Sequence, residues 1–433
     1  MMAAAGNKTA LELTGWVAVT VCATVVVLVV LLWSAQRGRK VHLRNVGQVG
    51  DNLREALPSL TNATHGHLVE GNQVEILQNG DGFWPRLLAD IAAARQSVHL
   101  ESYVWWKGDI CRQVAEALSA KAREGLEVRL LLDASGSSRM DKQLLAAMRE
   151  AGVQVSKYRP LRISNLARMN SRDHRKILVV DGRVGYVFGH GIADEWLGDA
   201  QDSEHWRDTA ARVVGPIVLD LQSAFSDNWV EETGEVLAGE QYFPVTAKAG
   251  NIRAHVAYLF QHGSISAVDL LHRLVFAAAK SELWIQNPYL AADEDVVELL
   301  VGAAKRGVDV RIMLPGQVTD SQFVRHAGHR HFDRLLSAGV RIYEYGKTLN
   351  HQKVMIVDRG WSHVGSTNLD NRSFESNDEI SLGIFDPAIA EQLRQAFLAD
   401  LESARPLTLE LWRGRSTFHK IRDRVAWQLE ELL

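Results

Sequence analysis

The chain has 433 residues, enough for two domains of ordinary size. Its formal net charge of −4 gives no sign of a nucleic-acid partner, since proteins that bind polyanions carry an excess of basic residues. The two cysteines, Cys22 and Cys111, exclude a disulfide framework and a cysteine-rich zinc site.

An uncharged apolar segment runs from Leu13 to Ser34. It is long enough to cross a bilayer as a helix, and Trp16 and Trp33 lie near its ends, as interfacial aromatic residues do. A cleaved signal peptide or a buried core segment are the alternatives, but the run is long for a signal peptide and little positive charge precedes it. Because Arg37, Arg39, Lys40 and Arg44 follow it, we predict a single-pass anchor at 13–34 with the rest of the chain in the cytoplasm.

The first half of the remaining chain alternates strand-like and helix-like segments. Residues 35–70 show little periodicity and are predicted to form a juxtamembrane linker, and turn residues 79–82 precede the first helix. The predicted elements are strands over Asn72–Leu77, Ser97–Trp105 and Val128–Leu132, and helices over Phe83–Arg95 and Ile110–Glu124.

The second half repeats this order, and residues 120–129 are visibly similar to 303–311. The predicted elements are a helix from Leu270, a strand at Leu283–Ile285, a helix over Asp293–Arg306 and a strand over Val308–Leu314. Alternating strands and helices predict an α/β fold. The duplication predicts two similar lobes, 71–250 and 251–408, packed as an α/β sandwich about a pseudo-twofold axis with one site on it.

The last segment, 409–433, mixes basic residues with Trp, Phe, Ile, Val and Leu. This composition predicts one basic amphipathic helix, which would pack on the domain or lie on the bilayer interface.

A motif of the form His-x-Lys-x4-Asp occurs twice, at 174–181 and at 351–358. In both copies, Ile, Val, Leu or Met fill the four positions before the aspartate, which predicts a buried strand that begins near the histidine. Side chains alternate along a strand, so the histidine and lysine share one face and the aspartate lies on the other.

The paired residues suggest a chemistry. A neutral imidazole can be a nucleophile or exchange a proton, and a lysine is a compact cation, so two facing pairs would suit phosphoryl transfer at a phosphodiester without a metal. One match in a chain of this length would mean little, but two in similar contexts indicate one site built from two halves. We therefore assign His174, Lys176, His351 and Lys353 to the site and expect no cofactor.

His326, His329 and His331 do not share a helix face, so no metal site is predicted there.

The second motif continues from Gly365 to Glu379 in a run similar to the G-[GST]-x-N-x-D-x-R-S-x-x-x-N-x-E pattern of bacterial cardiolipin synthases. The first motif is preceded by Asn170-Ser171-Arg172-Asp173, as in that family. Over about residues 72 to 430 the chain resembles the phospholipase D superfamily, and within it the bacterial cardiolipin synthases. The resemblance implies a phospholipase D-like fold, a phospholipid substrate and a place in the bacterial inner membrane.

Carboxylates are needed to orient the histidines, because a His that attacks through one ring nitrogen needs an acceptor at the other. Glu379 and Asp208 are the candidates, and the resemblance implies that the carboxylate at the Glu379 position holds the imidazole. For Asp181 and Asp358, the motif aspartates, we favour a supporting role at the strand end over direct chemistry.

The phosphate contacts are unequal in the two halves. The resemblance implies that Ser366 and Asn368 contact phosphate oxygens, but the matching first-half positions are Gly189 and Gly191. One contact is therefore missing, and it is open whether His190 replaces it.

The function implied by the resemblance is phosphatidyl transfer between two phosphatidylglycerols, which gives cardiolipin and glycerol through a phosphohistidine on His174, with His351 as acid and base. A phospholipase D that forms phosphatidic acid would share every catalytic residue. A nuclease of the superfamily is disfavoured by the anchor and the acidic balance, although some membrane-bound members of the superfamily are nucleases. An inactive membrane scaffold would tolerate loss of a motif histidine or lysine, and none is lost.

Overall fold

The computed structural model describes residues 16–17, 19–25, 27, 46, 53–160, 171–258 and 266–430. The predicted anchor at 13–34 lies largely outside the described residues, as does most of the linker before residue 53. The described positions between Trp16 and Val27 are helical and their side chains are exposed. No helix within the described ranges is both long and apolar enough to cross a bilayer.

The structure is of the α/β class that the sequence predicts. The helices are α1 (Leu53–Ala63), α2 (Asn79–Ala93), α3 (Asp109–Arg123), α4 (Lys142–Glu150), α5 (Val218–Thr233), α6 (Ala267–Ala278), α7 (Glu294–Lys305), α8 (Gln322–Gly328), α9 (Phe332–Ser337), α10 (Asn371–Glu375), α11 (Pro387–Leu401), α12 (Leu409–Arg413) and α13 (Thr417–Glu430). The strands are β1 (Val69–Gln78), β2 (Ser97–Ser102), β3 (Glu127–Asp133), β4 (Gln154–Tyr158), β5 (Ile177–Val180), β6 (Val184–Phe188), β7 (Thr209–Val214), β8 (Ile252–Ala257), β9 (Glu282–Gln286), β10 (Leu290–Ala291), β11 (Asp309–Pro315), β12 (Arg341–Tyr345), β13 (Val354–Val357), β14 (Trp361–Gly365), β15 (Leu369–Asp370), β16 (Ser381–Phe385) and β17 (Ala404–Leu407).

One 15-stranded sheet passes through both halves, in the order β17-β12-β11-β9-β13-β14-β16-β8-β1-β7-β6-β5-β2-β3-β4. Strands β1 and β8 pair antiparallel at its centre. Outward from them, β7-β6-β5-β2-β3-β4 on one side corresponds to β16-β14-β13-β9-β11-β12 on the other, and β17 extends the second edge. The duplication in the sequence is thus a duplication of strand order about the β1–β8 pair.

The strands that follow the two motif histidines are buried at every position, which explains why their sequences are continuously apolar. Helices α2 and α3 cover one face of the first half, and α6 and α7 cover the second half. Helices α5 and α11 pack in a core that joins the halves and includes Ile177 and Val354. Both motif strands are therefore fixed by one shared core.

Residues 53–63, predicted as part of the linker, form α1. Ala56, Leu57 and Leu60 are buried, and Ala56 and Leu60 join the core that includes α6. Their spacing is that of one helix face. The segment is short, so this pattern was hidden by the polar residues around it.

The predicted turn at 79–82 is instead the beginning of α2. Asn79 has a positive φ of 55°, and a Cβ on Gly80 would lie 2.2 Å from the carbonyl oxygen of Trp196. The turn-like residues therefore allow a close approach of the helix to a distant loop.

The single helix predicted for 409–433 is two helices, α12 and α13. Gly414 follows α12, and glycine is a poor helix former. The hydroxyl of Ser416 accepts the backbone N–H of His419 within the first turn of α13. The break at 414–416 lets the second helix return along α8.

Candidate active site

The two motif histidines lie where segments from opposite halves pair. The backbone N–H of His174 donates to the carbonyl of Asp378 at 2.9 Å, and that of His351 donates to the carbonyl of Arg207 at 2.8 Å. Glu379 directly follows Asp378, and Asp208 directly follows Arg207. The same pairing that joins the halves therefore delivers a carboxylate to each histidine.

Each imidazole is held by a carboxylate from the other half. Nδ1 of His174 lies 2.9 Å from both carboxylate oxygens of Glu379, and Nδ1 of His351 lies 2.8 Å from Oδ2 of Asp208. All four side chains are buried. With the proton on Nδ1 donated to the carboxylate, Nε2 of each ring carries the lone pair that can attack or accept a proton.

The two lysines differ in their contacts. Nζ of Lys176 donates to the carbonyl of His174 at 2.7 Å, and Nζ of Lys353 donates to the carbonyl of His351 at 2.6 Å. Nζ of Lys353 also lies 2.9 Å from Nδ1 and 3.0 Å from Nε2 of His351. No hydrogen-bond partner among the described residues reaches Nε2 of His174. The first histidine is therefore open at its reactive nitrogen, and the second is engaged with a cation.

Burial controls the ionisation of the histidines and lysines. It lowers the pKa of His174 to about 4, with a further lowering from Lys176 and Lys353, and it also lowers the pKa of His351. Burial lowers the pKa of Lys176 to about 7 and that of Lys353 to about 8. Because Lys353 acts on His174 and on Lys176, the two pairs form one electrostatic unit.

The two orienting carboxylates stay ionised. Burial alone would raise the pKa of each, but His190 and His351 beside Asp208, and His174 beside Glu379, hold both pKa values below their ordinary range. The site thus combines neutral imidazoles, ionised carboxylates and lysines that titrate near neutral pH.

Ser366 and Asn368, the predicted phosphate contacts, are used differently. The Ser366 hydroxyl donates to Glu379 and accepts the backbone N–H of Ile380 at 3.0 Å. It therefore fixes the carboxylate that holds His174. The Asn368 side chain is buried, and its Oδ1 has no hydrogen-bond partner among the described residues. The unpaired Oδ1 is an acceptor, so only the Nδ2–H groups of this amide could be donated to a phosphate oxygen.

Asp208 and Trp196 fill the space of the two side chains that are missing in the first half. A Cβ on Gly189 would lie 2.3 Å from Oδ1 of Asp208, and a Cβ on Gly191 would lie 2.7 Å from the Trp196 ring. The indole Nε1–H of Trp196 donates to Oδ2 of Asp208 at 2.9 Å, as Ser366 does to Glu379. The ring centroid of Trp196 lies 5.2 Å from that of His351, edge to face. Trp196 therefore supplies in the first half the hydrogen bond to the orienting carboxylate that Ser366 supplies in the second.

His190 belongs to the core and does not replace the missing amide. Its ring stacks on Phe83 with the centroids 4.2 Å apart, and both ring nitrogens lack a hydrogen-bond partner among the described residues. Burial lowers the pKa of His190 to about 4, so the ring is neutral.

The two motif aspartates contact backbone amides. Asp181 accepts the N–H groups of residues 95–97, and Asp358 accepts those of residues 280–282. Both aspartates have positive φ, 53° and 49°, just beyond the ends of β5 and β13. Each carboxylate therefore fastens the end of its motif strand to the loop before the neighbouring strand.

Sequence reasoning missed Trp196 and Tyr103. The Tyr103 ring centroid lies 5.0 Å from that of His174, and Nζ of Lys176 lies 5.4 Å from the same centroid. Tyr103 follows β2 directly, and nothing in its local sequence separates it from an ordinary core aromatic residue. Gly191 was the available signal for Trp196, since an absent side chain implies a neighbour that fills its space.

A family profile described as "Cardiolipin synthase, PLD-like domain" matches residues 87–194 and 274–401, together more than half of the chain. The cardiolipin synthase of Geobacillus kaustophilus is 34% identical over 368 residues, covering 84% of this chain and 72% of that relative. Cardiolipin synthase 1 of Staphylococcus epidermidis is 31% identical over 396 residues, covering 90% of this chain and 80% of the relative.

Solved structures share the fold at low sequence identity. The phosphatidylserine synthase of Haemophilus influenzae superposes with a TM-score of 0.65 at 13% identity, covering 86% of this chain and 96% of that one. The polyphosphate kinase of Porphyromonas gingivalis gives a TM-score of 0.54 at 13% identity, covering 91% of this chain and 57% of that one. At these identities the likeness concerns the fold alone.

Proposed function

The chain belongs to the cardiolipin synthase family of the phospholipase D superfamily, and on this premise we propose that it transfers a phosphatidyl group from one phosphatidylglycerol to another, releasing glycerol. The observation that carries the proposal is the cross-half pairing of each motif histidine with a carboxylate. It leaves two reactive Nε2 atoms in one site that also holds two lysines.

In the first step, Nε2 of His174 attacks the phosphorus of the donor lipid. The P–N bond forms and the bond from phosphorus to the glycerol headgroup oxygen breaks. An anionic phosphodiester in the site opposes the effect of burial on His351, so that the ring carries a proton on Nε2 and gives it to the departing glycerol oxygen. The open Nε2 of His174 supports its role as the nucleophile.

In the second step, a hydroxyl of the acceptor phosphatidylglycerol loses its proton to His351 and attacks the phosphohistidine. The P–N bond breaks, His174 is regenerated and cardiolipin leaves. The protons balance over the cycle, so no further reactant is required.

Lys176, Lys353 and Asn368 stabilise the charge on the non-bridging oxygens in both steps. An anionic phosphodiester in the site opposes the effect of burial and raises the pKa of each lysine. Substrate binding therefore favours the charged lysines that the transfer uses. Glu379, Asp208, Ser366 and Trp196 position the imidazoles, and Asp181 and Asp358 hold the motif strands.

The membrane placement is part of the proposal. The uncharged run from Leu13 to Ser34 would anchor the chain as a single-pass helix in the bacterial inner membrane, with the lobes on the cytoplasmic side where four cations follow the run. An anchor keeps the site at a surface where its lipid substrates are concentrated.

Product analysis tests the proposed reaction. The full chain is incubated with headgroup-labelled phosphatidylglycerol, and the His174→Asn variant is the control. We expect cardiolipin and free glycerol in equal amounts, both absent with the variant. Phosphatidic acid in place of cardiolipin would identify a hydrolase, and turnover that persists in the variant would contradict the proposed site.

A further inference from the structure

A cationic cavity lies between α8 and the C-terminal helices α12 and α13, and none of its lining residues belongs to the proposed transfer site. We call it the C-terminal cavity. Its volume of about 590 Å³ is that of a small-molecule site. Its lining is mainly basic and includes Arg325, Arg405, Arg415, Arg422, His326 and His329.

The positive charge of the cavity is only partly compensated. Arg325 and Arg405 share the carboxylate of Glu344, at 2.5 and 3.0 Å. Arg415 and Arg422 share the carboxylate of Asp423, at 2.5 and 3.3 Å. Four guanidinium groups therefore meet two carboxylates, and the excess charge lies around one cavity.

The neighbouring positive charge adds to the effect of burial on the pKa values of the lining groups. Burial, together with the charge of Arg422, lowers the pKa of His326 to about 4. Burial lowers the pKa of Arg415 as well, and Arg422 adds to this, although Asp423 opposes it. In addition, Nε of Arg325 and Nε of Arg422 are buried without a hydrogen-bond partner among the described residues. An anion would supply both the missing charge and an acceptor for these donors.

A metal ion is the competing occupant. His326, His329 and Asp423 could each offer one ligand atom, all within 4.8 Å of one another. However, Arg415 and Arg422 already donate to the Asp423 carboxylate, so a divalent cation would bind beside two guanidinium groups. Coulomb repulsion at such short range opposes a cation and favours an anion.

The surface beside the cavity is suited to a bilayer. Phe418, Ile421 and Val425 recur at helical spacing along α13, and their side chains are 72%, 59% and 49% exposed. Leu411 on α12 is also exposed, and Arg422, which follows Ile421 on α13, lines the cavity. Exposed apolar residues interspersed with cations are typical of helices that lie in the headgroup region of anionic membranes.

We propose that the C-terminal cavity binds the phosphate headgroup of an anionic phospholipid while α12 and α13 lie on the bilayer. This site is separate from the site of phosphatidyl transfer, and its occupation does not depend on which reaction the histidines perform. It would bind the second lobe to the bilayer through an anionic lipid.

Hydrogen exchange tests the proposal on the full chain. The His174→Asn variant in nonionic detergent micelles prevents turnover of the added lipid. Exchange in peptides of α8 and α13 is followed with phosphatidylglycerol, phosphatidylcholine, inorganic phosphate or Zn²⁺ at matched concentrations. We expect protection of both helices by phosphatidylglycerol and none by the other three. Equal protection by inorganic phosphate would overturn the lipid assignment. Protection by Zn²⁺ would show a metal site in place of the anion site. No protection by phosphatidylglycerol would refute the proposal.

Arginine variants locate the binding within the cavity. Arg405→Gln removes a charge at a side chain that is 69% exposed, so folding should be retained. It should raise the phosphatidylglycerol concentration needed for half-maximal protection about tenfold, which is the loss of affinity expected for one charge-assisted hydrogen bond. Arg112→Gln, on the exposed face of α3, is the matched control and should bind as before. Arg415→Gln provides a second test at the other carboxylate pair, with the melting temperature as a check of folding. Unchanged protection in both cavity variants would contradict the proposed site.

Discussion

Glu379, in the second half of the chain, places both of its carboxylate oxygens 2.9 Å from Nδ1 of His174, in the first half. Asp208 of the first half holds His351 of the second in the same way. Neither lobe therefore contains a histidine together with the carboxylate that orients it. The site depends on the docking of both halves, which the shared sheet and core enforce.

Replacing Glu379 by Gln should lower kcat strongly and leave the fold intact. A glutamine can turn its amide N–H toward Nδ1 of His174, which favours the tautomer with the proton on Nε2 and blocks attack. Loss of the correct tautomer at a comparable triad costs about 10⁴-fold in kcat. Release of labelled glycerol measures the rate, and Glu391→Gln on the surface of α11 is the control. A loss of less than about tenfold would show that the carboxylate does not set the tautomer.

Gly191→Asn should destabilise the protein even though it restores the family residue. The new Cβ would lie 2.7 Å from the Trp196 ring, and overpacking of this kind costs about 1 to 3 kcal/mol. Gly234→Asn is the matched control, because Gly234 has nothing within 4 Å and its φ of 73° is one that asparagine tolerates. Urea unfolding compares the two variants. Equal stabilities would mean that Trp196 moves aside readily.

The pH dependence of kcat/KM should have an alkaline limb set by the lysines. A lysine is charged below its pKa, so the pKa values of about 7 for Lys176 and about 8 for Lys353 predict a loss of activity as the pH rises through 7 to 8. His174 is protonated, and cannot attack, only as the pH falls toward about 4. A soluble short-chain phosphatidylglycerol allows both limbs to be measured.

The alkaline limb of kcat should lie at higher pH than that of kcat/KM, because the bound phosphodiester stabilises the charged lysines. If the two limbs coincide, the lysines do not contact the phosphate. The Lys176→Arg variant gives a second check, since arginine does not titrate in this range and the first alkaline step should disappear.

Much of this site could be predicted from the sequence because it is written in local motifs. The repeat of His-x-Lys-x4-Asp indicates two equivalent strands, and strand parity separates Asp181 and Asp358 from the chemistry. Glu379 and Asp208 could be named as the orienting carboxylates, each downstream of the histidine in its own half. The structure instead pairs His174 with Glu379, 205 positions away, and this exchange depends on how the halves dock, so no local pattern indicates it. Trp196 was missed for a similar reason, since it reaches the site from a 3₁₀ turn that the sequence leaves unmarked.

The fold was predicted best where periodicity was long. Helices α3 and α7 begin and end within a residue or so of their predicted bounds, because each has an amphipathic pattern followed by a glycine. The short α1 was hidden by its length, and the continuous sheet through β1 and β8 could not be deduced from elements that are each predicted alone.

Deleting residues 1–36 should leave the fold intact and sharply reduce activity on bilayers. The proposed anchor raises the local substrate concentration without contacting the site. Activity on detergent-solubilised lipid should therefore match that of the full chain. A truncated protein that is inactive on both substrates, yet shows an unchanged melting temperature, would give residues 1–36 a role beyond anchoring.

The assignment of the two histidines can be decided by trapping the intermediate. Nε2 of His174 has no hydrogen-bond partner among the described residues, whereas Nζ of Lys353 lies beside both ring nitrogens of His351, so His174 is the expected nucleophile and His351 the acid and base. A donor with a good leaving group, such as a p-nitrophenyl phosphodiester, does not need the acid. In His351→Asn such a donor should therefore still react, and the adduct should be discharged slowly because no base activates the acceptor. Labelled phosphate should accumulate on His174 as an acid-labile adduct that mass spectrometry can locate, and His174→Asn should trap none. Label on His351 in His174→Asn would reverse the roles, and no label in either variant would favour direct displacement by the acceptor over a covalent intermediate.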